Sequence, residues 1–129
     1  MKQFPFLPAT KWLMVLRVAV GLMLAMHGII RIYAGTVGGF GDFLSDRGFP
    51  AGTVIAWVLT MFEIVGGGTL AAGLLKKIIS LVFIVELLMG IVLVHSNNGW
   101  FVVGYSSGGA EYSVLLIICL LTVAAGKDN

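Results

Sequence analysis

Four apolar runs, each about as long as a bilayer is thick, limit what this chain can fold into. They cover residues 11–32, 52–75, 78–97 and 108–126. A helix that crosses the hydrocarbon core needs roughly 20 residues, with a range of about 17–25. The first two runs meet this easily, the third meets it with Ser96 and Asn97, and the fourth meets it when it starts at Gly108. The rival reading, buried core helices of a soluble domain, needs a charged surface to cover them. Charged residues make up only 11% of the chain and mean hydropathy is +1.05. A soluble domain carries about 25% charged residues. The expectation is an all-α domain over residues 1–129, a four-helix transmembrane bundle with the lipid bilayer as its partner.

The few positive charges set a direction. Lys2, Lys11, Lys76, Lys77 and Lys127 fall at one set of helix ends, and Arg31 and Arg47 at the other. The positive-inside rule then places both termini in the cytoplasm. A net charge of +2 gives no reason to expect nucleic acid. The single cysteine, Cys119, sits in the fourth run and excludes an intrachain disulfide or a CxxC redox pair.

Between the first two runs, Phe40, Phe43 and Leu44 stand at i, i+3 and i+4, and Gly48 follows. The spacing predicts a short amphipathic helix lying at the outer interface. Glycines recur inside the runs. Gly21 and Gly28 in the first, and Gly66, Gly67 and Gly73 in the second, read as packing seams, since small residues let helices approach closely in lipid. Such seams also allow a homo-oligomer.

Ionisable residues inside apolar runs carry the most functional information. A charge at the centre of a spanning helix costs about 2.5–3.5 kcal/mol. Arg17, Glu63 and Glu86 lie well inside their runs and are expected to face the interior as one polar cluster. One arginine cannot balance two carboxylates. A proton relay or a polar-ligand site is the functional reading, and an ion pair that fixes helix register is the structural one. Nearer the outer ends stand His27 and Arg31, four apart on one helix face, then His95, Glu111 and Tyr112. The stretch between His95 and Glu111 is uncharged and rich in glycine and aromatics. It is expected to fold back so that His27, Arg31, His95 and Glu111 line a capped outer pocket. Two histidines on different helices raise haem ligation, but nothing else in the sequence supports haem, and no metal-ligand spacing is present.

"RVAVGLMLAMHGIIR" (17–31), "FLSDRGFP" (43–50), "FEIVGGGTLAAGLL" (62–75), "HSNNGWF" and "GGAEY" together resemble the DoxX family of small four-helix bacterial membrane proteins. The matching positions are Arg17, Gly21, His27, Gly28, Arg31, Glu63, Gly67, Gly73, His95, Asn98, Gly99, Gly109, Glu111 and Tyr112. Arg31 stands where the family commonly has lysine. The resemblance implies an inner-membrane protein, an accessory subunit of a quinone- or thiol-linked redox system. Quinone would be the cofactor, and a membrane or periplasmic redox protein the partner. A small-molecule or proton-coupled carrier and an assembly scaffold are the alternatives. No catalytic residue transfers with the resemblance.

Overall fold

The structure is a computed structural model that describes residues 3–126. It is all-helical. The elements are α1 (Ala9–Tyr33), α2 (Val37–Asp46), α3 (Gly52–Ala71), α4 (Lys76–Leu93) and α5 (Glu111–Ala125), with a 3₁₀ turn at His95–Asn98. No strand occurs among the described residues. α1 and α3, of 25 and 20 residues, are long and apolar enough to cross a membrane, while α5 has 15 residues.

Three of the helices stop in the same way. At the end of α1, Gly35 N–H donates to Ile32 and Thr36 N–H to Arg31. α2 repeats this with Gly48 to Ser45 and Phe49 to Leu44, and α3 with Gly73 to Leu70 and Leu74 to Thr69. These are Schellman closures, which need a left-handed residue just past the helix. The glycines supply it, with φ of 70°, 91° and 85°. Gly48 therefore ends the short helix as its position in the sequence suggests. Gly73 is the turn residue just past the end of α3. It ends α3 four residues before the apolar run does. α4 then starts at Lys76, which is buried. At its other end α4 stops at Leu93, and residues 95–98 tighten into the 3₁₀ turn.

The chain forms two compact units, residues 18–74 and residues 1–17 with 75–129. In the first, α1 and α3 run antiparallel. Gly21 lies against Gly67 and Ala71, and Gly28 against Thr60, Glu63 and Ile64, so that position rises in α1 as it falls in α3. A Cβ on Gly21 would come within 2.5 Å of the Gly67 carbonyl oxygen and 2.8 Å of the Ala71 nitrogen. Only bare backbone permits that approach. Gly66 serves a different purpose, leaving room for the Phe62 ring of its own helix. α2 packs on α3 with Val37, Gly41 and Leu44 buried, and Gly41 sits against Thr53. In the second unit α4 packs on α5, with Ile79, Phe83, Leu116, Leu120 and Val123 among the buried residues. Large apolar side chains stay exposed along the helices, including Leu22, Val58, Val65, Ile78, Leu81 and Ile118. An apolar exterior of that kind suits lipid.

Candidate functional site

The first unit holds one built polar site. Arg31, in the last turn of α1, forms an ion pair with Glu63 of α3. Nη1 donates to Glu63 Oε2 and, at 3.0 Å, to Thr60 Oγ1, while Nη2 lies 3.4 Å from Glu63 Oε1. The Thr60 hydroxyl in turn donates to the Ala56 carbonyl at 2.7 Å. Phe40 of α2 lies under the guanidinium, 4.7 Å from carbon to ring centroid. The planar arginine fork is thus gripped at its edge by a carboxylate and on its face by an aromatic ring, which lysine could not reproduce.

Helix geometry explains why these two residues meet. Side chains on an α-helix lean toward its N-terminus. Arg31 leans back along α1 and Glu63 leans toward the start of α3. Because the helices are antiparallel, the two lean toward each other. Gly28, one turn before Arg31, removes the side chain that would block the way, since a Cβ there would meet Thr60 O, Ile64 and Glu63 Cβ.

The pair is mostly shielded, with side chains 18% and 8% exposed. Opposite charges cancel, so the site has little to attract a free anion. It retains donors, however. Nη1 has spent both its N–H groups and Nη2 one of its two. The Nε–H and the second Nη2–H point to no other described residue. A fixed, neutralised arginine with donors to spare and an aromatic face beside it suits a neutral ligand that carries a carbonyl oxygen.

Of the ionisable residues that the sequence singles out, Glu63 pairs with Arg31, which it shares with Thr60, inside the first unit. Arg17 and Glu86 belong to the other unit and are part-buried. His27 is exposed on α1. Thr60 and Phe40 were not singled out as functional in the sequence. The signal for them was the i, i+3 placement of Thr60 and Glu63 on one helix face, and the aromatic start of α2.

In the second unit the loop after α4 folds back, as its composition suggests. Ala110 N–H donates to Gly99 O and Glu111 N–H to Trp100 O, at 3.0 and 2.9 Å, and Gly108 and Gly109 N–H donate to Val102 and Phe101. Gly109 passes so close to Trp100 that a Cβ would strike its carbonyl group. The His95 ring closes this loop: Nδ1 lies 2.7 Å from the Gly108 oxygen. Since a carbonyl only accepts, Nδ1 carries the proton. His95 Nδ1 thus takes the Gly108 carbonyl as its partner. Glu111 is exposed in the first turn of α5, where a carboxylate complements the helix dipole, and Tyr112 is 39% exposed. Of the four residues expected to line a capped outer pocket, Arg31 is held by Glu63 in the first unit and His95 by Gly108 in the second. Backbone closure of the loop satisfies the histidine first.

Among the described residues no group of three or more His, Cys, Asp or Glu side chains could hold a metal ion. A family model described as DoxX matches residues 12–96, more than half of the chain, while no curated protein and no solved structure matches. The match takes in Arg31, Phe40, Thr60, Glu63 and His95 and stops short of α5. By its apolar helices and this match the protein is a membrane protein, and it belongs to the DoxX family.

Proposed function

We propose that the protein is a multi-pass inner-membrane subunit of a quinone- or thiol-linked redox system, and that it binds a quinone headgroup beside Arg31. In this reading α1, α3, α4 and α5 span the bilayer as a four-helix bundle. Both termini lie in the cytoplasm, and α2 lies along the outer surface. The lysine-bearing ends of α1 and α4 and the arginines at either end of α2 support that orientation.

The observation that carries the proposal is the state of the Arg31 guanidinium. Glu63 neutralises it and Thr60 and Phe40 fix it in place, yet two N–H groups remain to donate. A quinone is neutral, flat and an acceptor at both carbonyls, so it fits this donor set and the Phe40 ring better than a charged ligand does. The two-electron chemistry would be the quinone's own. The chain's part is to bind and orient: Arg31 donates to a carbonyl oxygen, Glu63 and Thr60 hold the guanidinium plane, and Phe40 limits access of water to it. A redox partner protein would take or supply the electrons.

The test is what the protein retains. Gentle extraction from native membranes, followed by mass spectrometry and absorption spectroscopy, should reveal quinone at a substantial fraction of one per chain. Arg31→Lys, which keeps the charge and loses the fork, should lose it. Wild-type protein that carries no quinone, or retention that ignores Arg31, contradicts the reading.

A further inference from the structure

The loop between α4 and α5 is built unlike a loop made for water. From Ser96 to Ala110 it carries no charged residue. Its large apolar side chains nevertheless stand outside. Val103 is 79% and Tyr105 94% exposed, and Trp100 and Phe101 are exposed as well. The loop is not slack chain. Its neck is closed by the four main-chain bonds from Gly108 to Glu111, Ser106 Oγ donates to Phe101 O at 2.9 Å, and the Phe101 and Tyr105 rings stand edge to face, 6.0 Å apart. At the tip, the N–H groups of residues 103–107 donate to no main-chain carbonyl among the described residues.

Surroundings that suit this loop must accept hydrogen bonds and also take up apolar side chains. Bulk water does the first and penalises the second. Hydrocarbon does the reverse. The layer of glycerol esters between them does both, and it is where amphipathic aromatics collect. Helix length puts the loop at that depth. α5 has 15 residues. That is about 22 Å of helix, against a hydrocarbon core of about 30 Å. At its inner end the apolar sequence gives way at once to Gly126, Lys127 and Asp128. The shortfall of about 8 Å therefore falls at the outer end, where the loop is. The lipid-facing surface also runs into the loop without a break, because Val92 and Leu115, each within a turn of it, are exposed.

We infer that residues 99–108 form a membrane-interface finger, which lies in the glycerol-ester layer of the outer leaflet. Val103, Tyr105 and Phe101 contact lipid there, and the N–H groups at the tip donate to ester oxygens. The finger completes the short outer end of α5 with chain that is shaped in advance by its own hydrogen bonds. The inference rests on the spanning topology proposed above and stands independently of the quinone reading.

The experiment uses the full chain in nanodiscs, with one nitroxide label at a time in a Cys119→Ser background. The labels go on Val103→Cys and on Ile118→Cys, which is exposed on α5. Collision with oxygen, which concentrates in lipid, and with a water-soluble nickel chelate gives each label's depth, calibrated by lipids labelled at known carbons. The expected result is a Val103 label at the ester level, where oxygen collides at least as often as the chelate, and an Ile118 label deeper in the acyl chains. A Val103 label that meets the chelate as freely as a label in water, with Ile118 still deep, overturns the inference and leaves the topology standing. A Val103 label shielded from both probes overturns it too, since protein and not lipid would then cover the loop. If Ile118 is also in water, α5 does not cross, and the topology falls together with the inference. Tyr105→Cys, at a side chain still more exposed, takes the place of Val103→Cys if that variant fails to fold.

Discussion

Removing Arg31 should cost more stability than any other single truncation on α1, and the cost should be conditional on Glu63. In Arg31→Met the Glu63 carboxylate, 8% exposed, loses the cation it pairs with. Breaking a buried pair from one side costs about 3–5 kcal/mol. Arg31 is 18% exposed, and an unfolded helix in lipid also finds substitute partners. Both considerations favour the lower end, about 3 kcal/mol. Loss of the Phe40 contact adds about 0.5–1 kcal/mol. Thr60 contributes little to the loss, because its hydroxyl keeps the Ala56 carbonyl. Glu63→Gln alone should cost about 2 kcal/mol, since the arginine is then unbalanced but can still donate to the amide oxygen. The double variant should cost far less than the sum, with a coupling energy of about 2–3 kcal/mol. Reversible unfolding in bicelles, by steric trapping or denaturing detergent, measures all four corners of the cycle. Costs that add to within about 0.5 kcal/mol would refute the pairing.

The glycines separate in the same assay. Gly21→Ala should destabilise by about 1–3 kcal/mol, because its methyl meets backbone that cannot move aside. Gly68→Ala, with nothing within 4 Å, should be neutral or stabilising by up to about 1 kcal/mol. His95→Ala should release the loop before α5. Its amides at Gly108 to Glu111 should exchange about fivefold faster in hydrogen-exchange mass spectrometry, as expected for one lost hydrogen bond; unchanged exchange would show that the loop closes without the ring. Cysteines placed at Ser107 and near Lys127, in a Cys119→Ser background, should label from opposite faces of intact cells and inverted vesicles. Same-face labelling would mean that α5, about 22 Å long at its 15 residues, does not cross.

Much of the scaffold can be read from residue patterns, and the site only in part. The short α2 follows from the spacing of Phe40, Phe43 and Leu44 before Gly48. The closeness of α1 and α3 follows from Gly21, Gly28 and Gly67. The partner of Glu63 does not follow, because counting residues along each helix locates Cα atoms and ignores the reach of side chains. By that measure Glu63 belongs to the helix centre and Arg31 to the helix end. The lean of both side chains along antiparallel helices closes the gap, and the antiparallel register is a tertiary fact. Helix ends are misplaced for a similar reason. Apolar character continues through Leu74 and Leu75, whereas backbone geometry at Gly73 has already ended α3. At His95 the ring is claimed by a main-chain carbonyl, and a main-chain partner has no signature in a sequence.

Whether Arg31 holds a neutral carbonyl ligand is measured most directly by titrating a short-tailed benzoquinone into nanodiscs of the wild type and of Arg31→Lys. Circular dichroism first establishes that both are folded. The account expects saturable binding at about one per chain in the wild type. It expects roughly tenfold or greater weakening in Arg31→Lys, as for loss of a hydrogen bond from a charged donor. The dimethoxybenzene analogue, which lacks carbonyl acceptors, should bind no more tightly than the lysine variant binds the quinone. Equal affinity of the two proteins for the quinone, or no saturable binding to the wild type, would contradict the assignment of Arg31 as the donor.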